Sequence, residues 1–138
     1  MTLFNKTFAL GLFILSASVQ AEIAVIVHAE NGASISEDDV KKIFMGKLAQ
    51  FPDGKPTSPV TFNIDSSIRE SFDTGFLSRQ THQIEAMWSK LVFTGKSSAP
   101  KVVDNSAAAL EYVSSNPNAI AYIDAKDVTP NVKVLFKF

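Results

Sequence analysis

The chain has 138 residues, with 13 basic and 14 acidic side chains and a formal net charge of −1 at pH 7. Because Lys and Arg are spread along the sequence and form no stripe, neither nucleic acid nor a membrane surface is indicated as a partner. The absence of cysteine excludes disulfides, a thiolate nucleophile and lipid attachment through a cysteine.

Lys6 precedes an apolar run from Phe8 to Leu15 and then the small and polar stretch Ser16-Ala17-Ser18-Val19-Gln20-Ala21. This is the pattern of a secretory signal peptide cleaved after Ala21. The run is well short of the ~20 residues that a spanning helix needs. Residues 1–21 are therefore expected to be removed on export, leaving residues 22–138 as one domain of ordinary size.

Ile23 to His28 is a continuous, β-branched apolar run, which predicts a central strand covered on both faces. Ser36, the acids Glu37, Asp38 and Asp39, an apolar face of Val40, Ile43 and Phe44, and Gly46 beyond it predict a capped helix. A loop with Pro52-Asp53-Gly54 leads to a second strand, Val60 to Ile64. Ser67 and Glu70 have capping-box spacing at the head of a second helix carrying Phe72 and Phe76. Thr81 is the expected cap of a third helix, whose Ile84, Met87, Trp88, Leu91 and Val92 form an apolar stripe that stops near Gly95.

A short extended pair, Val102-Val103, precedes a fourth helix capped by Asp104 or Ser106 and ended by Asn116-Pro117. Ala119 to Ile123 reads as another strand. The alternation of Val132, Val134 and Phe136 with Lys133 and Lys137 reads as an edge strand. Alternating strands and helices predict an α/β fold, a three-layer single domain with a mixed, mainly parallel sheet flanked by helices.

No catalytic constellation emerges. His28 and His82 lie in different elements without metal-ligand spacing, so no metal and no cofactor is expected. A Gly-x-Ser-x-Gly elbow is absent, and the acids at 37–39 are explained by the helix dipole. Thr94-Gly95-Lys96-Ser97 resembles the end of a phosphate-binding loop, but Lys90 stands where that motif needs glycine. The reading is a binding protein and not an enzyme.

The most informative stretch is Asn63-Ile64-Asp65-Ser66-Ser67-Ile68-Arg69, where a strand ends and a helix begins. Free amides and the helix dipole there favour an anion, and the carboxyl ends of strands are where open α/β folds bind ligands. Asn63, Asp65, Ser66, Ser67 and Arg69 are the candidate ligand-binding residues. The competing reading has Ser67 capping its own helix and Arg69 pairing with Asp65 at i+4 spacing.

Several stretches together resemble one lobe of the periplasmic phosphate-binding proteins of ABC transporters, in the type 2 periplasmic-binding-protein-like superfamily. They are Ile43-Phe44-Met45-Gly46-Lys47, Asp65-Ser66-Ser67, Trp88 with Phe93-Thr94-Gly95-Lys96, and Asn118-Ala119-Ile120-Ala121-Tyr122-Ile123. The resemblance implies a periplasmic location, a phosphate or related oxyanion ligand, and a transporter or sensor protein as partner. In that family the site reads Arg-x-Asp-x-Ser-Gly-Thr. Asp65 and Ser67 keep the pattern, whereas Asn63, Ile68 and Arg69 stand at its Arg, Gly and Thr. The family closes two lobes over its ligand and the resemblance covers one, so an open half-site of around millimolar affinity is expected. The alternative is a protein-interaction or assembly module with a vestigial anion site, whose uncovered apolar residues form a patch or a homodimer interface.

Overall fold

The computed structural model describes residues 22–138 together with residues 11, 12 and 14. The expected signal segment falls almost wholly outside them. No described helix is long and apolar enough to cross a membrane.

The apolar run near the start forms β1 (Ile23–His28), followed by α1 (Glu37–Phe44), β2 (Ser58–Phe62), α2 (Ser67–Gly75) and α3 (Thr81–Phe93). Then come β3 (Lys101–Val103), α4 (Ser106–Ser115), β4 (Ala119–Asp124), a 3-10 turn (Ala125–Asp127) and β5 (Val132–Lys137). The strands make one five-stranded sheet in the order β3-β2-β4-β1-β5. β2 pairs in parallel with β3 and β4, whereas β1 pairs antiparallel with β4 and β5. The sheet is thus mixed, as expected, but its pairings divide evenly and are not mainly parallel. The cause is β1, which is flanked by the two closing strands of the chain, and both of these run against it.

β1 is an interior strand covered on both faces as expected, next to the edge, with Ile23 to Val27 all buried, and β5 is an edge whose Lys133 and Lys137 are exposed. Because β1 and β4 are buried along almost their whole length, both faces of the sheet are covered. On one face α1 and α2 gather around Tyr122, whose ring stacks on Phe72 at a centroid distance of 3.8 Å, while Phe44 meets Phe72 edge-on at 4.9 Å. Trp88 Nε1 donates to the Phe44 carbonyl at 3.0 Å and so ties α3 to α1. On the other face α4 buries Ala109 and Val113. Gly46, just past α1, has φ +68, a left-handed conformation that favours glycine, and a Cβ there would meet the terminal methyl of Leu91 on α3.

Three helix starts differ from expectation by one residue or more. Ser66, not Ser67, occupies the N-cap of α2. Gln80 precedes α3, with the Gln83 side chain accepting from the Gln80 amide at 2.9 Å, while Thr81 turns its buried hydroxyl inward beside Asp73. Asn105 caps α4, accepting from the Ala108 amide at 2.9 Å. Ser36 and Asp39 form the expected cap of α1.

Candidate functional site

β2 ends at Phe62, and the chain turns through Asn63 to Ser66, with the Ser66 amide donating to the Asn63 carbonyl at 2.9 Å. The Ser66 hydroxyl makes no capping bond. Ser36 and Asn105 accept from first-turn amides of α1 and α4, and Gln83 accepts from the Gln80 amide ahead of α3, whereas no described side chain accepts at the start of α2. Among the described residues the amides of Ser67, Ile68 and Arg69 meet no acceptor. These are the free donors of a helix N-terminus, and the dipole adds positive potential to them.

Ser66 and Ile68 of this corner line an open cavity of about 530 Å3 beyond the carboxyl ends of the strands. Its far side carries Asp104, Asp124 and Asp127 against one cation, Lys126. Lys126 is itself held 3.9 Å from Asp124. Asn63 is drawn into this cluster, its Nδ2 donating to Asp104 Oδ1 at 2.6 Å. Asp65 and Ser67 are exposed at the corner.

Arg69 is not there. It is only 2% exposed, and its guanidinium points back under α2. Nη1 donates to the Phe62 carbonyl at 3.1 Å, Nε to Asp73 Oδ2 at 3.4 Å and Nη2 to Glu85 Oε1 of α3 at 2.5 Å. Neither the anion-facing position nor the surface pair with Asp65 is realised. Position 69 lies on the inward face of α2, beside Phe72, where a long side chain cannot reach solvent at the helix start. The structure therefore unites Asn63, Ser66 and Ser67 with the free amides and leaves Arg69 out. Burial pushes the Asp73 carboxyl above its ordinary range, while the Thr81 hydroxyl and Arg69 pull it back. Burial likewise pushes the Tyr122 phenol up, against its 2.6 Å hydrogen bond with Thr61 Oγ1.

A second cavity, of about 450 Å3, opens between α3 and the β2–β3 edge of the sheet. Phe44, Trp88, Val92, Phe93 and Val102 line it, and Arg69, Asp73 and Glu85 contribute the charge. Val92, expected as the end of a core stripe, is exposed here, and Phe93 and Val102 are 92% and 52% exposed. Nothing in the local pattern distinguishes these residues from core. Only the sheet edge ending at β3 uncovers them. Among the described residues no three His, Cys, Asp or Glu side chains gather in a metal-holding group.

A family model described as the PBP superfamily domain matches residues 18–134. The chain belongs to the PBP superfamily.

Three solved structures share the fold of this PBP superfamily domain. An ABC-type phosphate transport receptor from Vibrio cholerae superposes with a TM-score of 0.62 at 17% identity, over 83% of this chain and 46% of the receptor. A protein described as a phosphate ABC transporter substrate-binding protein, with bound phosphate, from Clostridium perfringens gives 0.65 at 21%, over 83% and 44%. PstS from Borrelia burgdorferi gives 0.57 at 17%, over 83% and 47%. At these identities the likeness is one of fold, and the chain spans less than half the length of each. No curated protein matches the chain significantly.

Proposed function

We propose that this PBP superfamily domain is an exported, periplasmic solute-binding module. In this reading residues 1–21 are removed, and the α2 start holds phosphate or a related oxyanion weakly. A transporter or sensor protein completes the open site from the other side. The observation that carries the proposal is the uncapped α2 start. Its three consecutive amides stay without an acceptor at the carboxyl end of a parallel strand pair. Ser66, Ser67 and Asn63 supply polar atoms around them, and Asp65 stands at the rim.

The carboxylates across the cavity limit the choice of anion. They accept hydrogen bonds and do not donate them, so they oppose a fully deprotonated oxyanion and tolerate one that still carries a proton. Phosphate is therefore favoured over sulfate. A two-dimensional NMR titration at low salt tests this. Saturable phosphate shifts centred on the amides of Ser67, Ile68 and Arg69, with sulfate weaker, support the reading, and no shifts at those amides reject it.

A second reading, an interaction or assembly module without a small ligand, draws on one observation: Val92, Phe93 and Val102 are exposed together on a single cavity. Light scattering separates the two, since a strict monomer at high concentration argues against self-association through this face.

A further inference from the structure

The cavity between α3 and β3 differs in chemistry from the α2 start and lies apart from it. Its volume of about 450 Å3 is in the range of small-ligand pockets. The rings of Phe44, Trp88 and Phe93 line it, and aromatic rings attract cations. The charges it presents are one guanidinium and two carboxylates, Arg69 against Asp73 and Glu85, a formal excess of one negative charge.

That excess decides the occupant. Arg69 is already engaged by Asp73, Glu85 and the Phe62 carbonyl, so an anion entering the cavity meets a neutralised cation and two carboxylates. A neutral molecule gains only apolar contact. A cation on an apolar body gains that contact, the ring faces and the surplus carboxylate together. Arg69 is buried, whereas the Glu85 side chain is 45% exposed and can turn an oxygen toward an incoming group while keeping its bond to Arg69.

We infer that this cavity binds an organic cation, an ammonium or guanidinium group carried on an aromatic or aliphatic body. The inference does not rest on oxyanion binding at α2: the two cavities share none of their lining residues, and Arg69 alone belongs to both sites, through its amide at the α2 start and its guanidinium here.

Trp88 is the sole tryptophan of the chain and lines the cavity, so its emission reports occupancy directly. Three probes with the same body, 4-phenylbutylamine, 4-phenylbutanol and 4-phenylbutyrate, are titrated into the purified protein at neutral pH. The amine is expected to bind roughly tenfold tighter than the alcohol, with the carboxylate weakest. Glu85→Gln, at a half-exposed position and with a hydrogen-bond acceptor retained for Arg69, should remove most of that preference. Ser89→Leu, on the exposed face of α3 at the cavity wall, should weaken all three, with circular dichroism showing that both variants are folded. Equal affinities for the three probes, preference for the carboxylate, or no saturable change in Trp88 emission up to the solubility of the amine would overturn the inference.

Discussion

Arg69 of α2 donates through Nη2 to Glu85 Oε1 of α3 at 2.5 Å, and this bond joins two helices that follow one another in the chain. The same guanidinium reaches Asp73 one turn along its own helix and the carbonyl that ends β2. It is a buried bracket between strand, helix and helix, placed where a ligand-binding arginine would have faced outward.

Removing it should therefore damage the fold first. Arg69→Ala leaves Asp73 buried without its ion partner and the Phe62 carbonyl without its donor, and because burial already raises the Asp73 carboxyl, that group takes up a proton instead of staying charged, at a cost of about 1–3 kcal/mol. Urea denaturation should show a loss of that size. A variant as stable as the parent would mean that the bracket contributes nothing.

The pH dependence of stability has a defined sign at Asp73. Its carboxyl is raised above the ordinary value of 3.8, so the folded state holds the proton more tightly than the unfolded chain. The resulting stabilisation is fully present below the unfolded value and is lost as pH rises through the folded one. Asp73→Asn keeps an acceptor for Arg69 without the charge. The stability of the parent relative to this variant should fall as pH rises above about 3.8 and then level off. Denaturant melts across that range check it, and a difference that grows with pH would show Arg69 outweighing burial.

Gly46→Ala is penalised by its backbone. A φ of +68 is strained for alanine, by roughly 1–2 kcal/mol, whereas the new methyl group meets only the terminal methyl of Leu91, which can swing aside, and stands at ordinary contact distance from Trp88. A loss of about 1–2 kcal/mol is expected, with the Trp88 emission maximum unchanged. Thermal melts followed by fluorescence test this, and a shifted emission maximum would show that the methyl group displaces α3 as well.

Tyr122→Phe deletes a buried hydroxyl and leaves Thr61 Oγ1 without its 2.6 Å partner. The expected cost is about 1–3 kcal/mol, because a buried polar atom is left unpaired while the stacking on Phe72 survives. Tyr122→Phe combined with Thr61→Val should recover much of it, and chemical denaturation of the single and double variants measures the difference.

At the α2 corner, Asp127→Asn removes one of the carboxylates that line the same cavity as Ser66 and Ile68. Phosphate affinity should rise by roughly twofold, the scale of one exposed charge at about 0.5 kcal/mol. The same NMR titration reads it, and a fall in affinity would mean that the carboxylate takes part in holding the ligand.

The amino-acid order by itself determined the elements and their faces, because periodicity and end signals act over a few residues. The apolar run of β1, the alternation of β5 with its exposed lysines, and the cap and acids of α1 are visible in sequence and present in the fold. It also brought out the strand-to-helix corner at Asn63 to Ser67. Exact helix starts were less legible, since Ser66, Ser67, Asn105 and Ser106 are all competent caps and only backbone dihedrals choose among them. Tertiary structure alone decided the even split of the sheet, through the two antiparallel neighbours of β1. It also decided the inward turn of Arg69 and the exposure of Phe93. Each of those depends on which distant segment lies alongside, Glu85 beside Arg69 in one case and the end of the sheet at β3 in the other, and local spacing carries no record of a neighbour brought in by folding.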